Sequence, residues 1–240
     1  MSIFDQLLIL VGEPPGSYVY HLVLLFALEA AAAIALSQWW ARRDAARARL
    51  TVAAGGLFLL RLIPLLAALL AAASFLDPLI ALPPLDRAAS TLTLLLIIWA
   101  FAFPEPQRLA DVAVTGLVLI VLLALGITWP LWAQEVGAGA SFYNASIQDL
   151  AWEIAQIALM LGGGLLLVVR RKSDWLLGLG LLSLLIAGHV LHVFRTVQLS
   201  NIPNAVRLAE LVTLPIFTAM VYRRAHASDE AMASTRPSAA

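Results

Sequence analysis

Apolar runs of bilayer-crossing length recur from one end of the chain to the other, and they leave little room for a soluble fold. A helix needs about 20 mainly apolar residues to cross the hydrocarbon core. Seven runs meet that need: 17–40, 50–75, 87–103, 109–132, 147–169, 174–197 and 205–222. Hydrophobic residues fill 62% of the 240 positions and charged residues 12%, where a soluble domain carries about 25% charge. The expected fold class is all-α: a polytopic bundle of seven transmembrane helices, forming one domain over residues 1–224.

The ends of the runs are marked by residue type. Trp39 and Trp40 close the first as an interfacial aromatic pair. Asp77, Pro78, Pro83, Pro84 and Asp86 place a loop between the second and third. Pro104-Glu105-Pro106 stops the third, because proline lacks a backbone donor and pushes the preceding residue out of the helical region. Trp129 and Trp132 sit at the far end of the fourth. Residues 1–13 have no basic n-region and carry Asp5 and Glu13, so they read as a short interfacial helix or a lead-in, not a signal peptide. Residues 225–240 are rich in Ala and Ser with mixed charge, and read as a disordered tail or a linker towards an output domain.

Orientation follows from the basic residues. Arg42, Arg43, Arg47 and Arg49 follow the first run, and Arg108 follows the third. Arg170, Arg171 and Lys172 follow the fifth, and Arg223 and Arg224 end the seventh. The stretches 76–86, 133–146 and 198–204 hold no Lys or Arg. With seven spans all basic segments fall on one side, and the positive-inside rule puts that side in the cytoplasm. The expectation is a multi-pass protein of a bacterial inner membrane, N-terminus outside and C-terminus cytoplasmic.

Ionisable residues inside spans are costly and usually face the bundle interior. Here they are His21 and Glu29 in the first span, Arg61 in the second and Glu153 in the fifth, with Gln156 beside it. The sixth has His189, His192 and Arg195, and the seventh Arg207 and Glu210. Glu29 and Arg61 lie midway along antiparallel neighbours, so an ion pair between them is expected, fixing how the two helices pack. His189, His192 and Arg195 share one stripe. Arg207 and Glu210 are also three apart, just after the short loop 198–204. Together with Glu153 and Gln156 they form a candidate polar cluster opening outward. It reads either as a ligand- or signal-binding pocket or as a hydrogen-bonded network that sets the bundle.

Several chemistries are excluded or weakened. The chain has no Cys and a formal net charge of zero, which removes thiolate chemistry and disfavours nucleic acid as a partner. Lys172 is the single lysine and lies in a loop, so a retinal Schiff base in the last span is excluded. His189-x-x-His192 alone is a poor metal site, with no acidic residue between; no metal and no cofactor are expected. A b-type haem held by His21 with His189 or His192 is the alternative cofactor. No Gly-x-Ser-x-Gly and no paired intramembrane Asp support proteolysis, and Gly162-Gly163-Gly164 reads as a close-packing feature. Pro64 and Pro215 could kink their helices, but no internal repeat supports the alternative of a small-solute transporter.

The passage Ser200-Asn201-Ile202-Pro203-Asn204-Ala205-Val206-Arg207-Leu208-Ala209-Glu210 and the ending Val221-Tyr222-Arg223-Arg224 carry a resemblance. With the span count, they make residues 1–224 similar to the seven-helix N-terminal membrane region of bacterial sensor histidine kinases and diguanylate cyclases. That resemblance implies a sensory input module whose last span feeds a cytoplasmic PAS, GAF or kinase domain. These 240 residues hold no such domain, and His226 stands in no dimerisation helix, so the module itself is not expected to be an enzyme. The expected partners are the lipid bilayer, a second copy of the chain and a cytoplasmic signalling domain or protein. The expected mechanism has a ligand, a lipid-phase solute or a pH change acting at the polar cluster and shifting the last span, with His protonation as one trigger. A subunit role in a larger membrane complex is a further alternative.

Overall fold

The computed structural model of the protein describes residues 3–12, 16–172, 174–195 and 200–234. Its elements are α1 (Ile3–Gly12), α2 (Gly16–Arg42), α3 (Ala45–Ala72), α4 (Pro78–Ala102), α5 (Arg108–Gly137), α6 (Ile147–Arg170), α7 (Trp175–Arg195) and α8 (Asn204–Ser234), with a 3-10 turn at Tyr143–Ala145. Among the described residues there is no strand. Seven helices, α2 to α8, are long and apolar enough to cross a membrane, the pattern of a multi-pass membrane protein.

Helix starts follow side-chain capping. The Asp44 carboxylate accepts from the Arg47 backbone N–H at 2.8 Å and caps α3. Its slight burial would raise its pKa, but the Arg47 backbone and side-chain hydrogen bonds outweigh that and hold it below the ordinary value. Ser146 caps α6 by accepting from the Asp149 N–H at 3.1 Å. Residues 3–12 form the short helix α1, one of the two forms expected for the lead-in, and it packs against α2 and α8.

The largest departure from expectation is α4. The stretch 76–86 was expected to be loop, yet the helix begins at Pro78 and carries Pro83 and Pro84 inside it. Asp77 caps it, accepting from the Leu79 N–H at 2.8 Å, and Pro78 stands at the start of the first turn, where its missing donor costs nothing. Pro83 cannot bond the Leu79 carbonyl four residues back. Trp132 Nε1 of α5 donates to that carbonyl instead, at 2.7 Å. The seventh helix also differs: α8 runs past Arg224 to Ser234, so the segment expected to be disordered begins as helix.

Packing runs in a ring. α2 lies against α3 and α8, α3 against α4, α4 against α6, α6 against α7 and α7 against α8. α5 stands outside the ring, with α4 as its main neighbour. Only 6% of the most apolar window of α5 is buried, against 83% of that of α4, so α5 is the most exposed of the seven helices and α4 the most enclosed. Leu24, Leu28, Ala31 and Ala35 of α2 recur every three or four residues and form its buried stripe. They join Leu57 of α3, Ile97 and Phe101 of α4, Met160 of α6, Leu185 of α7 and Phe217 of α8 in one core. Small residues let helices close up where two of them meet. A Cβ on Gly163 would lie 2.5 Å from Ile98 of α4, and one on Gly188 would lie 2.6 Å from Ala209 of α8.

The two ends of the bundle differ in charge. At the Arg-rich end, Arg49 donates to the Phe103 carbonyl at 2.8 Å and Arg224 to the Ala100 carbonyl at 3.2 Å. These are orphan carbonyls at the end of α4, where a cation is favoured. Arg49 also pairs with Asp111, and Lys172 lies 3.6 Å from Glu105. At the opposite end the two connections are stitched together. Tyr143 N–H donates to Asn201 at 2.6 Å, and Asn144 Nδ2 to the Ile202 carbonyl at 3.0 Å.

Candidate functional site

Apart from Arg49, the buried charges among the described residues gather towards that Arg-poor end, on five helices. Two groups can be distinguished. In the first, Arg87 of α4 is almost wholly buried and faces Asp149 and Glu153 of α6. Its Nε donates to Asp149 Oδ1 at 2.7 Å, and another nitrogen donates to Asn144 Oδ1 at 2.7 Å. His189 Nδ1 lies 2.7 Å from Glu153 Oε2, and His192 Nε2 lies 3.0 Å from Asp149 Oδ2. Gln156 Nε2 donates to the Arg87 carbonyl at 3.0 Å and to Thr91 Oγ1 at 2.8 Å. Asp149, Glu153 and Gln156 fall four and three residues apart, so one stripe of α6 carries all three.

The second group surrounds Glu210 of α8. Arg61 of α3 and the Tyr20 hydroxyl of α2 both donate to its carboxylate, and Ser90 Oγ of α4 does so at 3.3 Å. Arg207 stacks over the Tyr20 ring at 4.9 Å and lies 3.9 Å from Asp86 Oδ1. Asp86 joins the two groups, since its other oxygen is 3.4 Å from Arg87. Three guanidiniums (Arg61, Arg87 and Arg207) thus meet four carboxylates (Asp86, Asp149, Glu153 and Glu210). The carboxylates of this network outnumber its guanidiniums by one. In a membrane interior such a surplus is expensive, so the network invites a cation or a proton.

A cavity of about 330 Å³ opens beside the second group. Its polar lining is His21, Asp86, Asn201 and Arg207, and its apolar lining includes Pro64, Leu79 and Pro83. Arg207 Nε is buried and has no hydrogen-bond partner. A small solute with an acceptor group would meet Arg207 as the cationic residue of the lining.

The expected cluster is therefore real in part and differently divided. Glu153, Gln156, His189 and His192 come together, while Arg207 and Glu210 belong to the neighbouring group. The side chain of Arg195 lies outside the described residues. The expected Glu29–Arg61 pair does not form: Arg61 pairs with Glu210, and Glu29 is exposed on the outside of α2 with no partner among the described residues. Equal depth was not enough, because Glu29 follows Leu28 of the buried stripe and is rotated about 100° from it. Of the three imidazoles weighed as haem ligands, His21 lines the cavity, while His189 and His192 stand against Glu153 and Asp149. Asp86, Arg87, Asp149, Tyr20 and Asn144 were missed. The first two were assigned to a loop or a span end by the neighbouring prolines. Asp149 was signalled by its four-residue spacing from Glu153.

Compared with known proteins, the chain matches no family model, no curated protein and no solved structure.

Proposed function

We propose that the chain is the sensory input module of a bacterial signal-transduction protein. It lies in the inner membrane with its N-terminus outside and its Arg-rich end in the cytoplasm. One observation carries this reading: a solute-sized cavity is walled by Arg207 of α8, and α8 is also held by the buried Arg61–Glu210 pair. A solute that draws Arg207 away from Asp86 changes the charge balance on both sides of Asp86. The last helix is the element best placed to carry that change to a cytoplasmic partner. The resemblance of residues 1–224 to sensor kinase membrane regions points the same way.

The test is a fusion of residues 1–224 to a histidine kinase output, exposed to a panel of small anionic and zwitterionic solutes. Autophosphorylation should change with at least one solute, and Arg207→Gln should remove that change. A response that survives Arg207→Gln unaltered overturns the cavity as its origin. Solute flux in proteoliposomes without any kinase response overturns the sensory reading in favour of transport.

A further inference from the structure

The first polar group has the geometry of a metal site. We propose that Asp149, Glu153 and His192 bind one divalent transition metal of the Zn²⁺ class, a ligand of the same network that the sensory reading rests on. Asp149, Glu153 and His192 each offer one ligand atom within 4.8 Å of the other two, and all three residues are buried. Around a tetrahedral Zn²⁺ with bonds of about 2.0–2.1 Å, ligand atoms stand about 3.3 Å apart. Here His192 Nε2 is 3.0 Å from Asp149 and 3.8 Å from Glu153 Oε1, so small shifts seat an ion among them.

The surroundings are arranged as supports for such a site. Each carboxylate has one oxygen held by a neighbour and the other turned towards His192. Arg87 holds Asp149 Oδ1, and His189 holds Glu153 Oε2. Glu153 Oε1 is buried with no hydrogen-bond partner. A buried orphan carboxylate oxygen costs free energy unless something binds it, and its neighbours Arg87 Nε and His192 Nε2 each stand 3.8 Å away, beyond hydrogen-bond reach. Supports of this kind fix ligand orientation and raise affinity. One imidazole with two carboxylates suits borderline divalent ions, Zn²⁺ and Co²⁺ among them. Three protein ligands leave a fourth position open for water or a solute. The ion's charge of +2 exceeds the network's surplus of one carboxylate, so the open fourth position would take an anion such as hydroxide. His192 binds through the Nε2 lone pair, the ring taking its other tautomer.

The experiment uses the full chain, purified in detergent without a histidine tag, stripped with chelator and titrated with Co²⁺. The expected result is one saturable equivalent per chain with visible ligand-field absorption, displaced by Zn²⁺, and a higher thermal midpoint with Zn²⁺ than with chelator. Asp149→Asn, Glu153→Gln and His192→Gln should each lose the absorption. His189→Gln should bind about 10–100-fold more weakly, as a support and not a ligand. Absence of a saturable equivalent in the wild type overturns the proposal, as does unchanged binding in both Asp149→Asn and Glu153→Gln. Should those variants fail to fold, the Zn²⁺ shift of the wild-type midpoint decides, and its absence overturns the site. Arg207→Gln in the kinase fusion judges the sensory reading separately, so either idea can fail alone.

Discussion

Arg61 and Glu29 carry opposite charge at similar depth, yet only one of them is inside the bundle. Arg61 is 3% exposed and its partner Glu210 is 5% exposed, which makes this pair expensive to break. Arg61→Met leaves the Glu210 carboxylate buried without its cation and should cost about 3–5 kcal/mol. The double variant Arg61→Met with Glu210→Met should cost less than the single one, because no orphan charge remains. Glu29→Leu should leave the protein at least as stable as before, since it removes an exposed carboxylate that has no partner among the described residues. Thermal unfolding in detergent measures all three. A Glu29→Leu loss as large as that of Arg61→Met would show that Glu29 has a partner after all.

At the scale of elements, α4 explains most of what the fold does. Its N-terminal prolines would end an ordinary helix, and they survive here because another helix supplies the missing donor. Trp132→Phe keeps the ring but removes the indole N–H, leaving the Leu79 carbonyl unsatisfied. That should cost about 1–3 kcal/mol. Pro83→Ala restores a backbone N–H to the same carbonyl, so it should recover a good part of the loss in the Trp132→Phe background. A double-mutant cycle of melting midpoints measures this. Strict additivity of the two changes would show that the indole bond and the proline are unrelated. The helix start matters for the site as well, because it puts Asp86 and Arg87 two turns inside α4 and not in a loop.

For the whole molecule, the main expectation is its direction in the membrane. The chain has no cysteine, so single introduced thiols report sidedness cleanly. Ser141→Cys, on the exposed connection at the Arg-poor end, should react with a membrane-impermeant thiol reagent on intact cells. Glu105→Cys, exposed at the Arg-rich end, should react only after the cells are opened. The reverse pattern would invert the proposed topology and put the cavity on the cytoplasmic side.

Seven spans, their helical nature and the clustering of arginines at one end were all legible in the sequence. The bilayer imposes a local requirement: about 20 apolar residues with every backbone group satisfied inside the segment. Composition along the chain is enough to meet or fail it. The departure at 76–86 arose where Pro83 and Pro84 break the local rule and Trp132, 49 residues further on than Pro83, repairs it. The partners of the buried charges could not be read in the same way. Each residue step turns a helix by about 100°, so two charges at one depth can face opposite directions. Which helix a side chain meets then depends on the order of helices around the ring. That order joined Arg61 to Glu210 across 149 residues and turned Glu29 outward. It also brought Asp149, Glu153 and His192 together, because only packing of α6 against α7 sets the distance between a carboxylate on one helix and an imidazole on the next.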